Sequence, residues 1–190
     1  MALGFLKLNY KTHVLDYSDE STPTKLTGKK MLPIFDFGDA AMNESIDIIK
    51  KLDKSNEIKF SKSVGDLEMI TKSIGGFVHP LAMPVWVYTK EFNEKSRKYF
   101  IAKKEKSKGP FSDIYKKRDV YIKMAYDFFY KNKDFFSFTP NTKLGDHILI
   151  ASHLYGLYLV PDFSFPDFVH DFMQNVRETC HFDYHADFWK

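Results

Sequence analysis

Asn43-Glu44-Ser45 is the triplet of this chain best suited to hold an anion, because it reads as the start of a helix. Asn43 is a good N-cap, and Glu44 and Ser45 then fall in the first turn, where backbone N–H groups lack intrahelical partners. Those groups favour negative charge, and the Ser45 hydroxyl adds a donor. The same three residues also serve as a plain helix cap with no ligand. Upstream, Leu32-Pro33 opens an apolar run. Taken alone it reads as an ordinary trans proline at the head of an edge strand, since only about 5–6% of X-Pro bonds are cis. Lys25, Lys29 and Lys30 sit just before it, placed either to pair with a carboxylate or to face water.

Other reactive side chains offer less. Cys180 is the only cysteine, which excludes an internal disulfide framework and suits a reducing compartment. In Glu178-Thr179-Cys180-His181 it reads as a packing cysteine. His181 and His185 are four apart, as two metal ligands on one helical face are, but a second cluster to complete a tetrahedral site is missing. No metal is expected. His147, His153 and His170 have no serine or acid at triad-like positions, so hydrolase chemistry is not supported. The basic run from Lys90 to Arg118 interleaves Tyr99, Phe100, Phe111 and Tyr115. Glu91, Glu94, Glu105 and Asp113 dilute it and the aromatics recur at core spacing, so it reads as a solvated face and no nucleic-acid partner is expected.

The elements that position these residues follow from periodicity. Residues 1–8 read as the end of a helix and 12–17 as a strand. A short helix capped by Ser21 or Thr22 carries Pro23 in its first turn and stops at Gly28. Leu32 to Phe37 reads as a second strand, Gly38-Asp39 as a tight turn, and a very short third strand follows. The helix after Asn43 runs to Lys54 with Ile46, Ile49 and Leu52 inward. Lys54 to Lys62 is polar and reads as a linker. Beyond Val64 the pattern is helical throughout, near 64–78, 81–105, 112–134, 146–160 and 165–178, with Pro80, Pro84, Gly109-Pro110, Pro140 and Pro161 as punctuation.

Bulk composition agrees with a packed interior. The 190 residues are 44% hydrophobic and 17% aromatic, with 19 Phe and 11 Tyr, enough for one domain or two small ones. A net charge of +3 from 28 basic and 25 acidic residues demands no polyanionic partner. No secretory leader is legible and no apolar stretch approaches the roughly 20 residues that span a bilayer. A cytoplasmic location without a membrane partner is therefore expected.

Taken together, Thr22-Pro23-Thr24-Lys25-Leu26-Thr27-Gly28-Lys29-Lys30-Met31-Leu32-Pro33-Ile34 and Asn43-Glu44-Ser45-Ile46-Asp47-Ile48-Ile49 resemble the glutathione-binding half of a thioredoxin fold. Specifically, they are similar to the larger, glutathione-transferase-shaped glutaredoxins of the glutaredoxin-2 type. Arg97-Lys98-Tyr99-Phe100-Ile101-Ala102-Lys103-Lys104-Glu105 through Gly109 resembles the same family, as does the helix from Asp146 to Leu157-Tyr158-Leu159-Val160. The resemblance covers nearly the whole chain, patchily.

It implies an α/β thioredoxin-like part over residues 1–54 with its first strand missing, a linker at 55–61, and an all-α part over 62–190. It implies a cis Leu32-Pro33 bond that turns the Leu32 backbone outward to pair with glutathione as an added strand. It implies that Ser45 binds the γ-glutamyl carboxylate, Glu44 the α-ammonium, and Lys30 or a neighbouring lysine the glycine carboxylate. The implied activity is glutathione-dependent thiol–disulfide exchange on protein or glutathione mixed disulfides, with glutathione as co-substrate and the protein a monomer. The family's Cys-Pro-Tyr-Cys falls a few residues before the position of Met1, so no residue of this chain takes the catalytic part, and a longer parent polypeptide is expected. The alternative implied is a non-catalytic, glutathione-transferase-like binding or interaction protein. A transferase using a serine or tyrosine needs an upstream residue too. One departure concerns the helix at Asp146, whose expected capping box of Ser/Thr and Asp falls on Leu144 and His147.

Overall fold

The computed structural model describes residues 1–184. A one-turn helix α1 (Ala2–Phe5) leads into α2 (Ser21–Thr27), strands β1 (Ile34–Asp36) and β2 (Ala41–Asn43), and α3 (Ser45–Leu52). The helical part comprises α4 (Val64–Trp86), α5 (Glu94–Lys108), α6 (Phe111–Lys116), α7 (Arg118–Lys131), α8 (Pro140–Leu154) and α9 (Asp167–Thr179), with 3₁₀ turns at Lys133–Phe136 and Tyr155–Leu159. The expected order of a small α/β unit followed by helices is the one observed.

The sheet is small and antiparallel, pairing Ile34 with Asn43, Phe35 with Met42 and Asp36 with Ala41. Gly38, at φ 95°, makes the turn between the two strands, a backbone angle that only glycine adopts without strain. Residues 12–17 are not a strand: residues 9–15 make no main-chain hydrogen bond among the described residues. Its β-branched and aromatic composition favours a strand, but a strand needs a neighbour to pair with. Tyr17 closes this stretch by packing edge-on against Phe100, ring centroids 4.8 Å apart.

Two caps differ from expectation. The start of α2 is held by Asp19, whose carboxylate accepts from the Ser21 N–H at 2.9 Å and the Thr22 N–H at 3.0 Å. Neither Ser21 nor Thr22 caps it. Asn43 ends β2 instead of capping α3, and its amide donates to Thr27 Oγ1 at 3.3 Å. The N-cap of α3 is Glu44.

Pro80 and Pro84 do not interrupt the helices, because α4 runs through both to Trp86. Its central residues Ile74, Phe77, Val78 and Ala82 are buried against α6, α7 and α8, and this packing outweighs the lost N–H donors. The chain breaks afterwards, where Arg97 holds the Val87 carbonyl at 2.6 Å and the Phe92 carbonyl at 3.0 Å.

The segment between α3 and α4 is pinned at its centre. Ile58 is 2% exposed, and the Lys59 carbonyl accepts from Gly145 N–H at 2.7 Å. Here lies the expected capping box, one residue earlier than read from the sequence. Lys143, at φ −149° and ψ 33°, breaks α8 and stands at the cap of its second part. Asp146, three residues on and 1% exposed, accepts from both the backbone N–H and the hydroxyl of Ser61. Lys143 has no short side chain to cap with, so the Lys59 carbonyl takes that place. A Cβ at position 145 stands 2.6 Å from the Phe60 ring, so glycine is required for the approach.

Candidate functional site

The strand register decides what the candidate residues share. Ile34 begins β1 and pairs with Asn43, which ends β2. Leu32-Pro33 and Glu44-Ser45 therefore leave the sheet at the same end. The Leu32–Pro33 peptide bond is cis. Leu32 is 59% exposed, and its neighbour Pro33 is exposed too.

Glu44 has φ 76° and ψ 105°, a conformation that side-chain-bearing residues rarely adopt. The turn from β2 into α3 is thus made in one residue. It leaves Ser45 as the first residue of α3, with no side chain capping that helix. First-turn N–H groups without a protein partner, together with the Ser45 hydroxyl, form a donor set suited to a carboxylate. Glu44 supplies negative charge beside it, which fits a ligand carrying both signs.

Glu44 and Ser45 also line a cleft of about 430 Å³ between α3 and α4, with Asp47, Glu68, Thr71 and His153. Leu32 lines a different cleft, of about 590 Å³. Lys30 is not drawn to either. Its ammonium pairs with Glu20 at 2.9 Å and donates to the Tyr99 hydroxyl oxygen at 3.0 Å, while the Tyr99 hydroxyl itself donates to Glu20. The Tyr99 hydroxyl and the Lys30 ammonium hold Glu20 below the usual carboxylate range. Partial burial works against the Lys30 charge, yet the Glu20 and Tyr99 hydrogen bonds raise its pKa. Lys25 and Lys29 are exposed.

Cys180 is fully buried at the end of α9, and burial pushes its thiol up to about 11. A thiol so placed is protonated at neutral pH and out of reach of a disulfide, so it is no nucleophile. His147 is likewise 0% exposed, stacked on Phe138 with ring centroids 5.1 Å apart. Burial lowers its pKa to about 4. Among the described residues no cluster of His, Cys, Asp and Glu is arranged to hold a metal, and His185 and Asp187 of the expected tail lie outside those residues. No helix among them is long and apolar enough to cross a membrane.

Sequence reasoning missed Asn43 as a tie to α2, Asp146 as the anchor of the incoming segment, and the Glu20–Lys30–Tyr99 group. The first two are polar residues at helix starts, where a cap is the default reading. The third joins residues 79 apart in sequence, which no local pattern reveals.

Comparison with known proteins supports the resemblance along the whole chain. Residues 66–185 match the family model described as glutaredoxin 2, C-terminal domain. Glutaredoxin 2 of Escherichia coli strain K12 is 31% identical over 189 residues, covering 94% of this chain and 87% of that protein. Glutaredoxin 2 of Escherichia coli O157:H7 matches to the same extent, at 31% identity. The crystal structure of glutaredoxin 2 from Salmonella typhimurium in complex with glutathione aligns with a TM-score of 0.85 at 27% identity. That alignment covers 99% of this chain and 90% of the other.

Proposed function

The chain belongs to the glutaredoxin 2 family, and from that premise we propose that it carries the glutathione-binding half of a thiol–disulfide oxidoreductase site. The observation that carries this reading is the common exit of Leu32-Pro33 and Glu44-Ser45 from one end of the sheet. Glutathione is an extended tripeptide with a carboxylate at each end and one α-ammonium. Its backbone pairs with the exposed main chain of Leu32, as an added strand does. Its γ-glutamyl carboxylate meets the uncapped start of α3 and the Ser45 hydroxyl. Glu44 receives the α-ammonium. Lys30 serves the glycine carboxylate only by giving up part of its pairing with Glu20 and Tyr99.

The chemistry of such a site is thiolate exchange. A thiolate attacks one sulfur of a disulfide, the S–S bond breaks, and the departing sulfur leaves as thiolate. Glutathione thiolate then attacks the mixed disulfide and releases the first sulfur. Cys180 takes neither part, because it is buried and protonated. These 190 residues hold glutathione and do not turn it over. Protein or glutathione mixed disulfides are the substrate class. A monomer in a reducing, cytoplasmic compartment suits the single unpaired cysteine.

Calorimetric titration with reduced glutathione tests the reading. Saturable one-to-one binding is expected, about tenfold weaker in Ser45→Ala, which is roughly 1.4 kcal/mol. Binding that is absent, or unchanged in Ser45→Ala, contradicts it. In a coupled assay with hydroxyethyl disulfide, turnover by the chain stays at background and Cys180→Ser changes nothing.

A further inference from the structure

One internal carboxylate already occupies the cationic group next to Leu32 in sequence. Glu20 stands immediately before α2, where the Lys30 ammonium pairs with it at 2.9 Å and the Tyr99 hydroxyl, on α5, donates to it. Lys30 also donates to the Tyr99 hydroxyl oxygen at 3.0 Å and lies over the Tyr99 ring, 4.4 Å from its centroid. Lys103, one turn further along α5, donates to the same oxygen at 3.4 Å and has no ion-pair partner of its own among the described residues. Two ammonium groups thus converge on one phenol oxygen, and a single carboxylate faces them. Glu20 shows that these donors hold a carboxylate.

The occupant is held loosely. Its side chain is 58% exposed, so once released it recovers its hydration, and an exposed ion pair contributes little. Its backbone stays where it is, because the Glu20 carbonyl accepts from Thr24 Oγ1 at 2.6 Å and Asp19 holds the start of α2. Lys30 is only 26% exposed and is steadied by the Tyr99 ring. It lies two residues before Leu32, roughly 7 Å along an extended chain, within reach of one end of a tripeptide paired at Leu32. We propose that Glu20 is a resident competitor for the glycine carboxylate of glutathione, which displaces it from Lys30 and Tyr99 and makes Tyr99, in the helical part, a ligand-binding residue. Lys103 offers the incoming carboxylate a second cation. Binding is then an exchange of one carboxylate for another, and a ligand with a neutral terminus does not evict Glu20. This inference rests on the glutathione reading and adds to it the residue that limits affinity.

The probes are reduced glutathione and its glycine amide, whose terminus is neutral, each titrated calorimetrically into the full chain. Glu20→Gln keeps the size of the side chain and removes the competing charge. It is expected to tighten glutathione about threefold to fivefold, the range of an exposed ion pair, and to leave the amide unchanged. Lys30→Met abolishes that gain. Tyr99→Phe, added to Glu20→Gln, weakens glutathione and spares the amide. Glutathione bound no more tightly by Glu20→Gln, an equal gain with the amide, or a gain that survives Lys30→Met overturns the proposal and leaves the glutathione reading intact. Absence of glutathione binding in the parent chain and every variant overturns both.

Discussion

Residues 1–53 and the helices from Val64 onward are built on opposite principles. In the first region the buried hydrophobic residues are Ile48 and Ile49, the sheet is two strands of three residues, and Val14 stands 79% exposed. In the second, Phe77, Phe129, Phe172 and Met173 are among many residues sealed from water, and α4 runs through the middle of them. Helices satisfy their own backbones, so the second region needs only an apolar stripe on each to close a core. Strands need neighbours, so the first region leaves edges open and leans on the second. Its supports are Tyr17 against Phe92 and Phe100, Asp16 with Asn93 at 2.8 Å, and the Glu20–Lys30–Tyr99 group. The lesson is that the helical region carries most of the buried core while the open region presents the surface proposed for glutathione.

That contrast is broken most directly at Asp146. Asp146→Ala removes a buried carboxylate that accepts from the Ser61 N–H and hydroxyl, and is expected to cost about 2 kcal/mol in urea unfolding. Asp19→Ala removes an equally well-bonded carboxylate from the exposed start of α2 and barely moves the same midpoint. Comparable losses at the two positions contradict the division of labour.

His147 sharpens it next. Its pKa is about 4 in the folded chain and near 6.5 when unfolded, so the unfolded chain binds the extra proton between those values. Stability is complete above about pH 6.5 and falls as pH drops toward 4, by on the order of 2 kcal/mol. His147→Leu flattens that slope in unfolding curves taken across the interval.

Glu44 tests the open region itself. Glu44→Gly relieves the backbone at φ 76° and is expected to stabilise the chain by about 1 kcal/mol. The same change weakens glutathione binding several-fold, because the ammonium partner is gone. A smaller effect is expected at Tyr99→Phe. It loosens an exposed ionic group that water screens strongly and shows as faster amide exchange in α2 with the global midpoint unchanged.

Much of this was legible in the sequence, and the misses share a cause. Helical periodicity located the helical segments, though Pro80 and Pro84 read as ends because burial of Ile74 and Ala82 is invisible locally. The composition of 12–17 favours a strand, but pairing is a property of a neighbour. The capping box fell one residue late since its cap is the Lys59 carbonyl, a main-chain atom with no sequence signature. Leu32, Pro33, Glu44 and Ser45 are proposed through their joint resemblance to a family, and Lys30 by proximity in sequence alone. Its partners Glu20 and Tyr99 required the fold.

Amide chemical shifts of the ¹⁵N-labelled chain, followed as reduced glutathione is added, test the central claim most directly. The account predicts saturable shifts at Leu32, Glu44, Ser45 and the first turn of α3, with the core of α4 and α9 unmoved. Absent shifts, or shifts confined to the helical region, contradict it.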